Sequence, residues 1–80
     1  MPSKLKQGSK EDWLLKVSSK LKRLRLLRGY RSYESFALDH GFDRKQYWRI
    51  EQGTNLTLKT LIKVLDAHDM NLKDFFSDFQ

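Results

Sequence analysis

The chain has 80 residues, with sixteen Lys/Arg against ten Asp/Glu and a formal net charge of +6; this is enough for one domain with a small core and too little for a large interior cleft. It contains no cysteine, which excludes disulfide frameworks and thiolate metal sites and agrees with a cytoplasmic protein. No apolar run approaches the roughly 18 residues of a membrane span, and residues 1–10 are polar and basic, without the apolar stretch of a secretory signal, so no membrane partner is expected.

The charge is unevenly placed. Residues 1–52 carry thirteen Lys/Arg against six Asp/Glu, and residues 53–80 carry three against four. Basic charge polarised in this way suits a polyanionic partner, nucleic acid before acidic membrane, with a merely solubilising surface as the plain alternative.

Residues 1–8 lack periodicity and read as a flexible basic arm ahead of a single domain over residues 9–80. Ser9 followed by Asp12 suits a helix-opening capping box. Trp13, Leu14, Val17, Leu21 and Leu24 then recur at steps of three and four, the apolar face of a first helix that ends at Gly29. Arg25 and Arg28 fall in its last turn, where cations complement the helix dipole. Ser32 opens a short second helix carrying Phe36 and Ala37, and Gly41 stops it. Asp43, with Gln46 three residues later, opens a third that turns Tyr47 and Ile50 inward and stops at Gly53. Thr57 opens a fourth, with Leu58, Leu61, Ile62 and Leu65 at helical spacing. Asn71 with Asp74 opens a terminal helix containing Leu72, Phe75 and Phe76. No segment sustains strand alternation, so the expected fold class is all-α with five short helices.

The segment from Ser32 to Gln52 carries the most information. A short helix, a tight turn containing glycine and a second helix make a helix-turn-helix arrangement. Ala37 is the small residue where the helices would touch, Gly41 lies in the turn, and Phe42, Tyr47 and Ile50 are apolar locks for the second helix. Here the chain resembles the Xre family, the lambda-repressor and Cro-like regulators, over roughly residues 17–76. The matches are Leu21-x-x-Leu24-Arg25 with Gly29, Phe36-Ala37-x-x-x-Gly41, Arg49-Ile50-Glu51-Gln52-Gly53, the run from Thr57 through Leu61 and Leu65 to Ala67, and Asn71-Leu72-x-Asp74-Phe75-Phe76. Departures from that pattern are a longer loop between Gly29 and Ser32, a shorter one after Gly53, His40 in place of leucine, and Tyr33 where many relatives have glutamine.

The resemblance implies a five-helix lambda-repressor-like domain whose helix over residues 43–52 enters the major groove of double-stranded DNA. Arg44 and Lys45 are the first base-reading candidates, with Gln46, Trp48 and Arg49 beside them. Arg and Lys donate to the guanine edge, and Gln pairs with adenine. Against this stand readings in which Arg44 and Lys45 touch only phosphate or solvent, Gln46 serves the helix cap, and Trp48 closes the edge of the core. Ser32, Tyr33 and Arg31 are phosphate candidates at the start of the second helix, near further cations at Lys20, Lys22, Arg23 and Arg28. Lys4, Lys6 and Lys10 form either a DNA-following arm or a solubilising tail. The resemblance also implies a structural salt bridge between Arg25 and Glu51, which orients the reading helix and removes Arg25 from DNA contact.

His40 and His68 read as helix-end residues, not metal ligands, and no cofactor is expected. Leu14, Leu72, Phe75, Phe76 and Phe79 exceed what one small core needs at that end and suit a homodimer interface, unless the terminal helix packs on its own core. The leading expectation is therefore a dimeric, sequence-specific transcriptional repressor. The alternative is an antitoxin that binds a protein toxin and regulates its own operon, as Xre-like antitoxins share this domain. An enzyme is not expected, since the chain has no nucleophile elbow, P-loop or dinucleotide glycine motif. The close spacing of Asp39 and Asp43 is explained by capping.

Overall fold

A computed structural model describes residues 10–54 and 56–79, and over these residues the chain is helical without any strand. The helices are α1 (Lys10–Leu27), α2 (Tyr33–His40), α3 (Arg44–Glu51), α4 (Leu58–Ala67) and α5 (Leu72–Phe76). The expected arm over residues 1–8 and the Ser9 cap lie outside the described residues.

Local chemistry sets the helix starts. Ser32, Asp43, Thr57 and Asn71 each accept, through the side-chain oxygen, the backbone N–H three residues on, at 3.1, 3.0, 3.1 and 2.8 Å. Each bond satisfies a donor that the first helical turn would leave without a partner, and contributes about 1 kcal/mol. The turn between α2 and α3 is equally local. Gly41 adopts φ 74°, and the Phe42 N–H reaches back to the Ala37 carbonyl at 2.8 Å. This is the Schellman pattern, and the left-handed glycine is what permits it.

The core is assembled from one face of every helix: Val17 and Leu21 of α1, Phe36 and Ala37 of α2, Tyr47 and Ile50 of α3, Leu61, Val64 and Leu65 of α4, and Phe75 of α5. Phe36 is its hub. That ring lies 5.1 Å from Tyr47, 5.3 Å from Tyr30, 4.4 Å from His40 and 5.0 Å from His68, centroid to centroid. Where α1 passes the end of α3 the approach is close. A Cβ on Gly53 would lie 3.4 Å from Ser18 Oγ and 3.6 Å from the Leu14 carbonyl, and Gly53 already has φ 82°. Those distances are ordinary contact, so it is the left-handed backbone that calls for glycine at this position.

Two apolar faces differ from the expectation. Trp13 is 37% exposed and stacks on Phe79 at 6.2 Å instead of entering the core. On α4, Leu58 and Ile62 are exposed and Val64 is fully buried. The inward stripe of α4 runs through residues 61, 64 and 65, which puts Ile62 on its flank, while Leu58 sits in the first turn past the rim of the core.

Long cations fasten the ends. Lys20 of α1 donates to the Phe75 carbonyl and to Asp78, the latter at 2.7 Å, and its ammonium lies over the Phe75 and Phe79 rings. Arg28 donates to the Ala67 carbonyl at the end of α4, at 2.6 Å. Asp39 accepts from the Tyr30 hydroxyl at 2.8 Å, so of the two aspartates flanking the turn only Asp43 acts as a cap.

His40 ends α2 and His68 caps the end of α4. Both rings pack on Phe36, and both Nε2 atoms are buried without a hydrogen-bond partner among the described residues. Burial first, then the Arg28 guanidinium and His40, hold His68 below its ordinary value, with Glu51 opposing them. Because the folded value is depressed, the unfolded chain takes up the proton first as pH falls. The stability is intact above about pH 6.5 and declines as pH drops through the folded value. The melting temperature should fall between about pH 7.5 and 5.5, and His68→Gln should flatten that fall; an identical decline in both proteins would remove His68 as its source.

Candidate functional site

The eight residues of α3, Arg44 to Glu51, divide sharply by burial. Tyr47 and Ile50 are buried, and Arg44, Lys45, Gln46, Trp48 and Arg49 are exposed. Helical periodicity places Lys45 directly opposite the buried pair, with Trp48 and Arg49 outward on either side of it. Gln46 and Arg44 then lie toward the two flanks, Arg44 in the first turn. The side-chain amide of Gln46 is not needed for the cap, because its backbone N–H makes that bond to Asp43. Trp48 is 46% exposed and does not close the core.

The inner side of α3 is held electrostatically as well as by packing. Arg25 of α1 donates through Nε to Glu51 Oε2 at 2.7 Å and through Nη2 to Glu51 Oε1 at 3.0 Å, a two-point clasp. The side chains are only 4% and 5% exposed. Arg25 Nη1 donates to the Tyr30 carbonyl at 2.7 Å, and the Tyr47 hydroxyl donates to Glu51 Oε2. One guanidinium therefore ties together α1, the loop before α2 and the end of α3. The Glu51 carboxylate that accepts from Arg25 holds its pKa above the ordinary value, with burial acting against it. Burial, reinforced by the bond to Glu51, pushes the Tyr47 phenol well up, so it stays a neutral donor.

This leaves α3 with three outward cations and one carboxylate, and that carboxylate is occupied inside the fold. Asp43, just ahead of the helix, has an oxygen engaged in its cap. The five candidates on α3 thus share one exposed helix. Arg31 is also exposed. Ser32 is half-buried, its hydroxyl accepting from the Ser35 N–H and bonded to the Ser35 hydroxyl at 2.6 Å, and Tyr33 is half-buried against the core. Two of the cations grouped with them by sequence point elsewhere: Lys20 toward α5 and Arg28 toward the end of α4. Sequence reasoning missed that Tyr47 is both a core ring and a hydrogen-bond donor to the ion pair. Its signal was the spacing of four between Tyr47 and Glu51, which stacks them on one helix face.

Among the described residues no group of three or more His, Cys, Asp or Glu side chains could hold a metal ion, and no helix is long and apolar enough to cross a membrane. No family model matches the chain, and neither curated proteins nor solved structures give a match.

Removing one member of a buried, hydrogen-bonded ion pair leaves its partner charged in a low-dielectric site. Glu51→Ala should lower the unfolding free energy by about 3 kcal/mol or more, measured by urea denaturation. The double variant Arg25→Met/Glu51→Leu should lose less than the two single changes added together. A loss within about 0.5 kcal/mol for Glu51→Ala would show that the pair contributes no more than an exposed one.

Proposed function

We propose that this protein is a sequence-specific DNA-binding regulator in which α2, the Gly41 turn and α3 act as a helix-turn-helix of lambda-repressor type. In this reading α3 lies in the major groove, and two copies bind two half-sites of an operator. The observation that carries the proposal is the exposed face of α3. Arg44, Lys45 and Arg49 project from a helix whose single carboxylate is withdrawn into the pair with Arg25. An α-helix fits the major groove, and cations there meet both phosphate and the acceptor edge of guanine.

The residues take distinct roles. Lys45, opposite the core, Arg49 beside it and Arg44, at the leading end, are the donors to base edges. Gln46 and Trp48 border them, with the indole offering an apolar contact to a thymine methyl group. Arg31 and the backbone N–H groups opening α2 meet phosphate, the helix dipole favouring an anion at that end. Lys20, Arg25 and Arg28 are structural, as each donates to a partner inside the fold.

Selection of bound sequences from a randomised duplex library at physiological salt, with Arg44→Ala in parallel, tests this reading. The protein should enrich a palindromic motif, and the variant should lose discrimination at one position, at a cost of about 1–3 kcal/mol. Affinity should also fall steeply with salt, as expected when several phosphates are neutralised. Failure to enrich any motif, with binding surviving only at low salt, would overturn sequence-specific reading and favour a protein-partner role such as an antitoxin.

A further inference from the structure

Two grooves on the surface carry opposite charge around apolar floors. The first lies between α4 and α5. Ile62, Met70 and Leu72 form its floor, and Asp66, Asp69 and Asp74 surround it with Lys73 as the single cation. The second runs along α1 beside the C-terminal residues. Leu15 and Phe79 form its floor, and Lys16, Lys20 and Arg23 surround it with Asp78 as the single anion. Three acids stand against one base in the first, and three bases against one acid in the second. The grooves have no lining residue in common. Leu15 and Ile62 are both substantially exposed.

We propose that these surfaces are the two halves of a self-association joint, the acidic α4–α5 groove of one molecule receiving the basic α1 groove of a second copy. The argument is charge and floor together. The acidic cluster stands on a chain of net charge +6, and the same molecule displays its complement in a groove of similar make-up. Apolar floors supply the area a contact needs, while the rims fix orientation and partner. The joint pairs unlike surfaces, so a molecule with both faces intact can engage one neighbour through each, or one partner through both at once. It stands independently of the DNA-binding reading, because it concerns the protein alone.

Two variants separate the faces. Asp66→Lys/Asp69→Asn alters only the acidic groove; asparagine is used at 69 because that residue has φ 54°, which Asn tolerates. Lys16→Glu/Arg23→Glu alters the basic groove and the Lys16 contact over the Trp13 ring, leaves the acidic groove untouched, and spares Lys20, which is bonded to Asp78 and the Phe75 carbonyl. Sedimentation equilibrium at low salt, without DNA, should show association of the wild-type protein that weakens as salt is added. Each variant alone should associate about tenfold or more weakly. An equimolar mixture should recover a one-to-one complex, because each variant keeps the face the other has lost, and that recovery also shows that both are folded. A monomeric wild-type protein, variants that associate as wild type does, or a mixture that stays monomeric would each overturn the proposal.

Discussion

The buried clasp between Arg25 and Glu51 is the interaction on which the rest of the arrangement depends. Two charges withdrawn from water are stable only when nearly every donor and acceptor finds a partner. Here the guanidinium bonds both carboxylate oxygens and the Tyr30 carbonyl, and the carboxylate also accepts from Tyr47. Those partners come from α1, the loop before α2, and α3. The requirement to satisfy one pair therefore sets the placement of three separate pieces of chain. Packing alone is less directional, since apolar contacts tolerate rotation of a helix about its own axis.

Packing around Phe36 complements this clasp. The ring meets Tyr47 of α3 and His68 at the end of α4, as well as Tyr30 and His40. An element drawn out of place would break aromatic contacts and the ion-pair network together. Gly53 supplies a left-handed backbone, φ 82°, just past the end of α3, where the chain turns beside Ser18 of α1. The result is a short helix presented at a fixed angle, which suits recognition of a rigid partner better than recognition of a mobile one.

The fold also sorts the charges. Lys20 and Arg25 of α1, and Arg28 just after it, are drawn to carbonyls and carboxylates within the molecule, while Arg44, Lys45 and Arg49 of α3 stay outward. Three acids of the C-terminal third, Asp66, Asp69 and Asp74, gather about the α4–α5 groove, and the fourth, Asp78, pairs with Lys20. The exposed face of α3 and the acidic α4–α5 groove therefore draw on different residues.

Much of this was legible in the residues. The side chains at Ser32, Asp43, Thr57 and Asn71 announce the helix starts because a cap is a bond over three residues, decided within the chain segment itself. Gly41 marks the turn for the same local reason, a left-handed backbone that few other residues accept. Resemblance to a known pattern also pointed to Arg25 and Glu51 as partners, although 26 residues separate them. Tertiary structure decided what depends on distant neighbours. It turned Trp13 and Ile62 outward, buried Val64, gave Tyr47 its second role and bonded Lys20 and Arg28 to acceptors within the fold. Helical spacing can place side chains on a common stripe, but how far the core extends along that stripe, and which carbonyl lies within reach of a long cation, follow only from how the five helices pack.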